Sequence, residues 1–366
     1  MSTHGTHGWT PLSSDDGART LEDARYRRAP ALLVEWQGQR TVVIDCTTLH
    51  RVAIDPDLVR VLARLDRWTT IDEMRAAGCR VEGGVLERLV ASGLVESRPL
   101  GEGSATEHEE GDPRMLWNPF DLAVQRNANR GGLRERPAIE PEVELRGARS
   151  SVTTIPLPPP VAALPAALGD VLQRRRSVRR FGSRALRLDE LSTLLHHAAR
   201  VESPRPAEQQ SSEAHRPFPA AGAESELEIY VLADNVDGLT PAAYHYDPVG
   251  HHLVLVRARD ADQERIQRDA GLAAGGLERT PPVMLLITAV FSRVMQRYEW
   301  VGLSLIYKDC GCLLQTLYLV ATAMGLAPCA IGTGEELENT RWLGLDPLVE
   351  AQVGCFLVGP RLSPDT

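Results

Sequence analysis

The sequence lacks several features that would point to a membrane or nucleic-acid role. None of its apolar runs approaches the roughly 18 residues of a membrane-spanning helix. Residues 1–17 contain no positive start followed by an apolar block, so no secretory signal is predicted. The net charge is −9, which argues against general nucleic-acid binding because that mode needs a basic face. We therefore expect a cytoplasmic protein with no membrane or nucleic-acid partner.

Metal-binding and nucleotide-binding motifs are also missing. Cys310 and Cys312 stand two positions apart in a helical pattern and point to different sides, and no Cys/His pair at zinc spacing accompanies them. No metal is therefore expected. The sequence has no Ser/His/Asp arrangement, no P-loop and no Gly-rich dinucleotide fingerprint. No nicotinamide site is therefore evident.

The most distinctive stretch that is present is rich in arginine. Five arginines surround Ser177 within residues 174–180. Guanidinium groups make bidentate contacts to phosphate, and a hydroxyl adds a neutral hydrogen bond. The stretch could instead be a solvated basic run. Leu191, Leu194 and Leu195 follow at helical spacing, so the cluster precedes a well-formed helix, which favours an anion site.

Composition and periodicity divide the 366 residues into four parts. Residues 1–27 are polar and predicted to be disordered. Residues 28–100 show strands, three short helices and a return strand, a winged-helix-like pattern without the basic run of a DNA reader. Residues 101–150 are expected to be a linker and packing arm, with residues 115–120 packing on the following domain. Residues 151–366 form the larger domain.

The larger domain shows a buried strand, a core helix and a turn of small residues. Residues 282–289 are a near-continuous apolar run, typical of a strand buried on both faces. A long helix is predicted for residues 308–324. Residues 219–222 are a turn of small residues before a strand at 227–232. Such a turn lets a flat ring approach the backbone closely, although an ordinary tight turn has the same composition.

Three motifs in this domain resemble the nitroreductase fold, and more narrowly the SagB-type flavin dehydrogenases. They are Arg-Arg-Ser-x-Arg-x-Phe at 175–181, Pro-Ala-Ala-Gly at 219–222 and Leu-x-Pro-x-x-Tyr-x-Tyr-Asp at 239–247. The resemblance implies an α+β fold whose antiparallel-rich central sheet is flanked by helices. It also implies an FMN cofactor and a homodimer.

The resemblance implies that four groups of residues hold FMN. They are Arg175, Arg176, Ser177 and Arg179 at the phosphate and ribityl chain; Pro219, Ala220, Ala221 and Gly222 against the ring; Ile331, Gly332 and Thr333 over the N5 edge; and Arg361, which returns to the phosphate. The family has a serine where this sequence has Ala220. Any hydroxyl contact there is lost, while backbone contacts can remain.

The resemblance also implies a catalytic pair. Family members that form azoles carry Lys-Tyr, and the matching place here is Arg297-Tyr298. Arginine stays protonated and cannot act as an ordinary base. Its charge could favour the phenolate of Tyr298, which would then be the base. Alternatively, Arg297 could indicate a different dehydrogenation, and Tyr298 could be an aromatic residue packed beside Trp300.

SagB-type enzymes oxidise azolines in ribosomally made peptides to azoles. The expected function is therefore FMN-dependent oxidation of thiazoline or oxazoline rings in a precursor peptide. Oxygen would reoxidise the flavin, since no nicotinamide site is evident. A cyclodehydratase partner would follow from this pathway. One alternative is a flavin reductase that acts on a small molecule. The other is a non-catalytic scaffold subunit, which Ala220 and Arg297 leave open because they depart from the family pattern.

The smaller domain has a resemblance of its own. The layout of residues 28–100 is similar to that of PqqD-like peptide-recognition domains. Such a domain adds a leader peptide to an open sheet edge as an extra strand, with backbone hydrogen bonds supplying much of the contact. The alternative is a packing domain that helps the oxidase dimerise or shields it.

Overall fold

The computed structural model describes residues 21–79, 81–101, 117–128, 153–201, 215–275 and 280–362. The chain divides into two units, residues 1–127 and residues 128–366. Most of the predicted linker 101–150, and residues 1–20 of the predicted disordered segment, lie outside the described residues.

The first unit contains two small antiparallel sheets with helices packed on them. Its strands are β1 (Ala24–Arg28), β2 (Leu32–Gln37), β3 (Arg40–Asp45), β4 (His50–Ile54), β5 (Thr69–Thr70) and β6 (Val95–Pro99). Its helices are α1 (Leu58–Arg64), α2 (Ile71–Ala76), α3 (Gly83–Ala91) and α4 (Pro119–Asn127). The strand orders are β5-β1-β6 and β2-β3-β4. The expected succession of strands, three helices and a strand is present, while the winged-helix description and the peptide-binding role stay predictions.

One feature of this unit differs from the sequence-based expectation. β1 begins at Ala24, inside the segment predicted to be disordered. Its sequence Ala-Arg-Tyr-Arg-Arg is too polar to indicate a strand, and it is ordered by pairing with the distant β5 and β6.

The helix α4 begins inside the segment 115–120 that was expected to pack on the following domain. It buries Leu122 with Ala31 and Cys46 of the first unit. Residues 115 and 116 lie outside the described residues, and the packing of 115–120 on the following domain stays a prediction.

The second unit is built on a seven-stranded antiparallel sheet in the order β14-β15-β13-β9-β11-β12-β7. The strands are β7 (Thr154–Pro156), β8 (Leu186–Arg187), β9 (Leu227–Ala233), β10 (Val236–Asp237), β11 (Ala242–Asp247), β12 (His252–Ala258), β13 (Val283–Val290), β14 (Leu326–Ile331) and β15 (Glu350–Pro360). The helices are α5 (Leu168–Arg174), α6 (Leu188–Ala199), α7 (Ala261–Ala273), α8 (Phe291–Met295), α9 (Gly302–Ala323) and α10 (Glu336–Trp342). β8 and β10 form a separate parallel pair.

Helices cover both faces of this sheet because successive strand residues point to opposite sides. Along β13, Leu285 and Ile287 pack in the cluster that includes α6, α8 and α9. Met284 and Leu286 pack in the cluster that includes α7 and α10. The predicted strand buried on both faces is confirmed, as is the predicted α+β class with a helix-flanked antiparallel sheet.

The long helix α9 places several residues near the ends of the sheet strands. It begins at Gly302, six residues before the predicted start at 308, because the apolar positions Leu305 and Ile306 extend its buried face through the first turn. Two of its residues contact segments that the sequence analysis selected. Asp309 contacts residues 219–222, and Tyr318 contacts residues 175–181.

Candidate active site

The arginine-rich segment follows the end of α5 and borders a cavity of about 410 Å³. The residues that line the cavity are Arg176, Ser177, Val178, Arg179, Arg180, Arg361 and Leu362. Four arginines and no acidic residue are among them, which favours an anion. Guanidinium groups bind phosphate in bidentate geometry, so this donor set fits the phosphate end of FMN.

The structure thus brings four predicted cofactor residues together at this cavity: Arg176, Ser177, Arg179 and Arg361. Arg175 is not among the lining residues; its guanidinium carbon lies 5.2 Å from the centroid of the ring of Tyr318, whose hydroxyl contacts Ser177. Arg180 lines the cavity although it was not selected. Its position next to Arg179 was the only signal in the sequence, and nothing there distinguished the two.

Tyr318 ties the arginine-rich segment to the sheet. Its hydroxyl lies 2.7 Å from Ser177 Oγ and accepts a hydrogen bond of 2.7 Å from the Ala330 backbone N–H. With Ala330 as donor, the phenol can give its own proton to Ser177. The Ser177 hydroxyl hydrogen is then available to an anion in the cavity. Val178 N–H donates to the Pro328 carbonyl at 2.8 Å and adds a second link to β14.

Arg361 reaches the cavity because the end of β15 is joined to the arginine-rich segment. Phe181 and Arg361 form an antiparallel bridge. Gly182 N–H donates to the Pro360 carbonyl at 2.8 Å. A Cβ atom on Gly182 would lie 2.8 Å from the Arg361 carbonyl oxygen. This close backbone approach requires glycine at position 182.

The turn of small residues meets the predicted catalytic pair. Gly222 has φ of 58°, a left-handed conformation that glycine adopts without strain. A Cβ atom there would lie 2.6 Å from Arg297 Nη1 and 2.8 Å from the Tyr298 hydroxyl. The structure therefore places residues 219–222 in contact with Arg297 and Tyr298, as one site would require.

Two charged side chains hold the first half of this turn. Asp309 Oδ2 accepts a hydrogen bond of 2.7 Å from the Ala221 backbone N–H. Arg297 Nη1 donates to the Gly222 carbonyl at 3.2 Å and to Glu224 Oε1 at 2.9 Å. The guanidinium of Arg297 is thus bound to the turn, which gives it a positioning role.

A buried ion network holds the second half of the turn. Arg293 Nη1 donates to the Ser225 carbonyl at 2.9 Å and to Glu228 Oε1 at 2.6 Å. His245 Nε2 lies 2.9 Å from the other oxygen of Glu228. Burial raises the pKa of Glu228, but the hydrogen bond from His245 and the charge of Arg293 outweigh burial and lower it to about 2. Glu228 is therefore an anion at neutral pH and keeps Arg293 in place.

Tyr298 presents its hydroxyl to the turn from the edge of the core. The residue is partly buried, and its backbone N–H donates to Val294 at 3.0 Å. The guanidinium carbon of Arg297 lies 5.7 Å from the centroid of its ring. Tyr298 also packs against the main hydrophobic cluster. The predicted catalytic placement and the alternative of aromatic packing are therefore compatible in this structure.

The third predicted group lies along a second cavity. Ile331 ends β14, and together with Thr333 it lines a space of about 240 Å³ beside α7 and α10. This cavity shares no lining residue with the arginine-lined one. A Cβ atom on Gly332 would meet nothing within 4 Å. The contacts described for 331–333 therefore do not join them to Arg297, Tyr298 or the arginine-lined cavity.

Several site residues escaped the sequence analysis: Arg293, Asp309 and Tyr318. Each lies in a helix where an isolated charged or aromatic residue resembles ordinary surface or core. Cys310, next to Asp309, is buried, and its thiol lies 3.5 Å from the Val353 carbonyl.

Among the described residues, no three His, Cys, Asp or Glu side chains group closely enough to hold a metal ion. None of the helices in that part of the chain has the length and apolar character of a membrane span.

Comparison with known proteins gives a family match over about half of the chain. A family model described as the nitroreductase family matches residues 172–360. A provisionally named nitroreductase of Methanocaldococcus jannaschii is 32% identical over 169 residues, which cover 45% of this chain and 78% of that protein.

Two solved structures are also similar. A provisionally named nitroreductase from Ralstonia eutropha is 25% identical with a TM-score of 0.47, and the match covers 63% of this chain and 96% of that one. The Escherichia coli microcin synthetase McbBCD complex with truncated pro-MccB17 bound contains a chain that is 19% identical with a TM-score of 0.43. That match covers 72% of this chain and 99% of the other.

Replacing Tyr318 with phenylalanine tests its hydroxyl. The Tyr318→Phe variant leaves the part-buried Ala330 N–H without its acceptor, which should lower the free energy of unfolding by about 1–3 kcal/mol. Its affinity for FMN should also fall, because Ser177 loses a fixed partner. Urea unfolding and FMN fluorescence titration measure the two effects. The control is Tyr307→Phe at a half-exposed position of the same helix, and equal losses in both variants would contradict the assignment.

Replacing Gly222 with alanine tests the contact between the turn and the pair. Gly222→Ala and Gly238→Ala both place alanine at positive φ, which should cost each about 1–2 kcal/mol. Only the Cβ atom at 222 reaches Arg297 and Tyr298, whereas at 238 the nearest atoms lie 4.0 Å away. We expect both variants to melt at a lower temperature than the wild type, with weaker FMN binding in Gly222→Ala alone. Equal weakening in both variants would contradict the contact.

Proposed function

Because this chain belongs to the nitroreductase family, we propose that it is an FMN-dependent dehydrogenase that oxidises thiazoline or oxazoline rings in a ribosomally made precursor peptide. Family membership makes it a flavin-dependent oxidoreductase. The narrower activity is supported by the SagB-type motifs. The observation that carries it is the contact of the turn at 219–222 with Arg297 and Tyr298.

In this proposal, residues at different positions of the site have different roles. Arg176, Ser177, Arg179 and Arg361 would hold the phosphate of FMN. The backbone of residues 219–222 would lie against its ring. FMN, when bound, would supply the ring that accepts the hydride equivalent from the substrate. The residues 331–333 would contribute to the ring site as the family resemblance implies.

The protein must also receive a proton, because aromatising an azoline removes one proton and one hydride equivalent from the ring. We assign the proton to the phenolate form of Tyr298, whose oxygen lies at the turn and becomes the neutral hydroxyl when it accepts the proton. Arg297 remains protonated and is bound to Glu224 and the Gly222 carbonyl, so it positions the turn and places a positive charge beside Tyr298. The lysine of the family pair is thus replaced by a residue that holds the site together.

The chain is further proposed to be a cytoplasmic homodimer that works beside a cyclodehydratase, since that reaction class must supply the azoline. Exposed apolar side chains on the second unit support a protein contact. Leu168 and Leu172 lie one turn apart on α5 and are 64% and 53% exposed. Oxygen would be the final electron acceptor in this proposal.

The first unit is proposed to bind the leader segment of the peptide at β4. In the sheet β2-β3-β4, the outer strands β2 and β4 each pair on one side only within the described ranges. Leu33 of β2 packs in the same cluster as Leu122 of α4. β4 pairs with β3 alone among the described strands, and His50, Arg51 and Ala53 are exposed. An extended peptide could add there through backbone hydrogen bonds.

Anaerobic mixing with a synthetic thiazoline-containing peptide tests the reaction. The oxidised flavin absorption should bleach in the wild type, and Tyr298→Phe should slow the bleaching by about 100-fold or more because the proton acceptor is lost. FMN affinity should change little in this variant. Bleaching by NADPH but not by the peptide would favour the small-molecule reductase. A colourless protein that takes up no FMN would favour the scaffold.

Hydrogen exchange tests the peptide site. With a full-length precursor peptide that carries a thiazoline, amide exchange should slow in β4 and remain unchanged in β2. The physical reason is that new backbone hydrogen bonds protect the strand that receives the peptide. Unchanged exchange throughout residues 24–99, at peptide concentrations that bleach the flavin, would contradict the proposed docking edge.

A further inference from the structure

Glu226 is a fully buried carboxyl that follows the turn. It lies four residues after Gly222 and is 0% exposed. Among the described residues, no donor lies in hydrogen-bond geometry with either side-chain oxygen. The carboxyl of Asp309 is close enough to bond with it when one of the two acids carries a proton. Its backbone is fixed, since the Glu226 carbonyl accepts a hydrogen bond of 2.9 Å from Val290 N–H. An ionised carboxylate in such a place is costly, which favours the neutral acid.

The cations close to Glu226 are engaged by other groups. Arg293 donates to Glu228 and to the Ser225 carbonyl. Arg216 is also buried, and its Nε donates to Ser225 Oγ at 3.2 Å. Both guanidinium groups thus donate to the turn, and Arg293 also donates to Glu228, while the charge of Arg216 still acts on Glu226 through space.

The buried charges of this region do not balance when all three carboxyls are ionised. Arg216 acts on Glu226 and Glu228, and Arg293 acts on Glu228. His245 also contacts Glu228. Lys308 acts on Asp309, but it is exposed to solvent. A charge on Glu226 would therefore add a third buried anion beside two buried guanidinium groups.

The pKa shifts of these acidic groups agree with this comparison of charges. Burial, and then the negative charge of Asp309, raise the pKa of Glu226 to about 7. Burial raises the pKa of Asp309 too, although the Ala221 N–H that it accepts favours its ionised form. Burial raises the pKa of Cys310 to about 12 and raises that of Tyr246 as well, so these two neighbours stay neutral.

We propose that Glu226 is a positioning residue whose neutral form allows Asp309 to hold the Ala221 amide at the flavin-facing turn. Loss of its proton places two carboxylates side by side beneath the turn. Their repulsion weakens the Asp309 contact and adds negative charge below the ring. The hold on flavin should therefore weaken as the pH rises through neutrality. This inference rests on the proposed flavin site.

The test compares FMN affinity of the wild type and Glu226→Gln from about pH 6 to about pH 8.5. Glutamine keeps the shape of the neutral acid and cannot ionise. Wild-type affinity should fall several-fold across this range relative to the variant, with a limit of about tenfold per pH unit for one proton. The FMN phosphate also titrates, but it does so in both proteins and cancels in the comparison.

Glu224→Gln is the matched control, because it removes a carboxyl from the same turn that is paired with Arg297. This variant should keep the wild-type pH dependence even if its affinity is lower. The same pH dependence in Glu226→Gln as in the wild type would overturn the proposal. Loss of the pH dependence in Glu224→Gln alone would assign the titration to Glu224 and would overturn it as well.

Melting temperatures of the flavin-free proteins separate this inference from the proposed function. The folded pKa of Glu226 lies above its unfolded value, so the wild type should lose stability as pH rises from about 4.5 to about 7, relative to Glu226→Gln. A constant difference across that range would overturn the role of Glu226 alone. Failure of both proteins to bind FMN would overturn the proposed effect on flavin affinity together with the proposed function.

Discussion

The site depends on the charged side chains that bind the backbone of the turn at 220–225. Asp309 accepts a hydrogen bond from the Ala221 amide, while Arg297 and Arg293 donate to the carbonyls of Gly222 and Ser225. Arg293 lies on α8 and Asp309 on α9, and Arg297 follows the end of α8. Both helices pack in the same hydrophobic cluster as the sheet. Charge-assisted hydrogen bonds in a partly buried setting are stronger than neutral ones, so these contacts connect the turn firmly to the core.

A second set of contacts connects the arginine-rich segment to the helix α9. Tyr318, on α9, links Ser177 of the arginine-rich segment to Ala330 of β14. The end of β15 adds Arg361 through the bridge to Phe181. α9 therefore contacts both the arginine-rich segment and the turn, two segments that are distant in sequence.

The sequence was most informative where a residue pattern has few alternative structural roles. Clustered arginines around Ser177 indicated an anion site, and the apolar run of β13 indicated a buried strand. The pairing of residues 219–222 with Arg297 and Tyr298 came only from family resemblance, since no local pattern relates such distant segments. Glu226 and Asp309 could not be selected, because a buried acid has the same letter as a solvated one. β1 was missed because its arginine-rich sequence becomes a strand only through its partners β5 and β6.

The most direct test of this account is the affinity of the purified protein for FMN compared with riboflavin. The two ligands share the ring and differ in the phosphate, so the comparison isolates the arginine-lined cavity. At least two charge-assisted hydrogen bonds to phosphate should make FMN bind about 100-fold more tightly or better. Equal affinity for the two ligands, or binding of neither, would contradict the assignment of this cavity as the phosphate end of a flavin site.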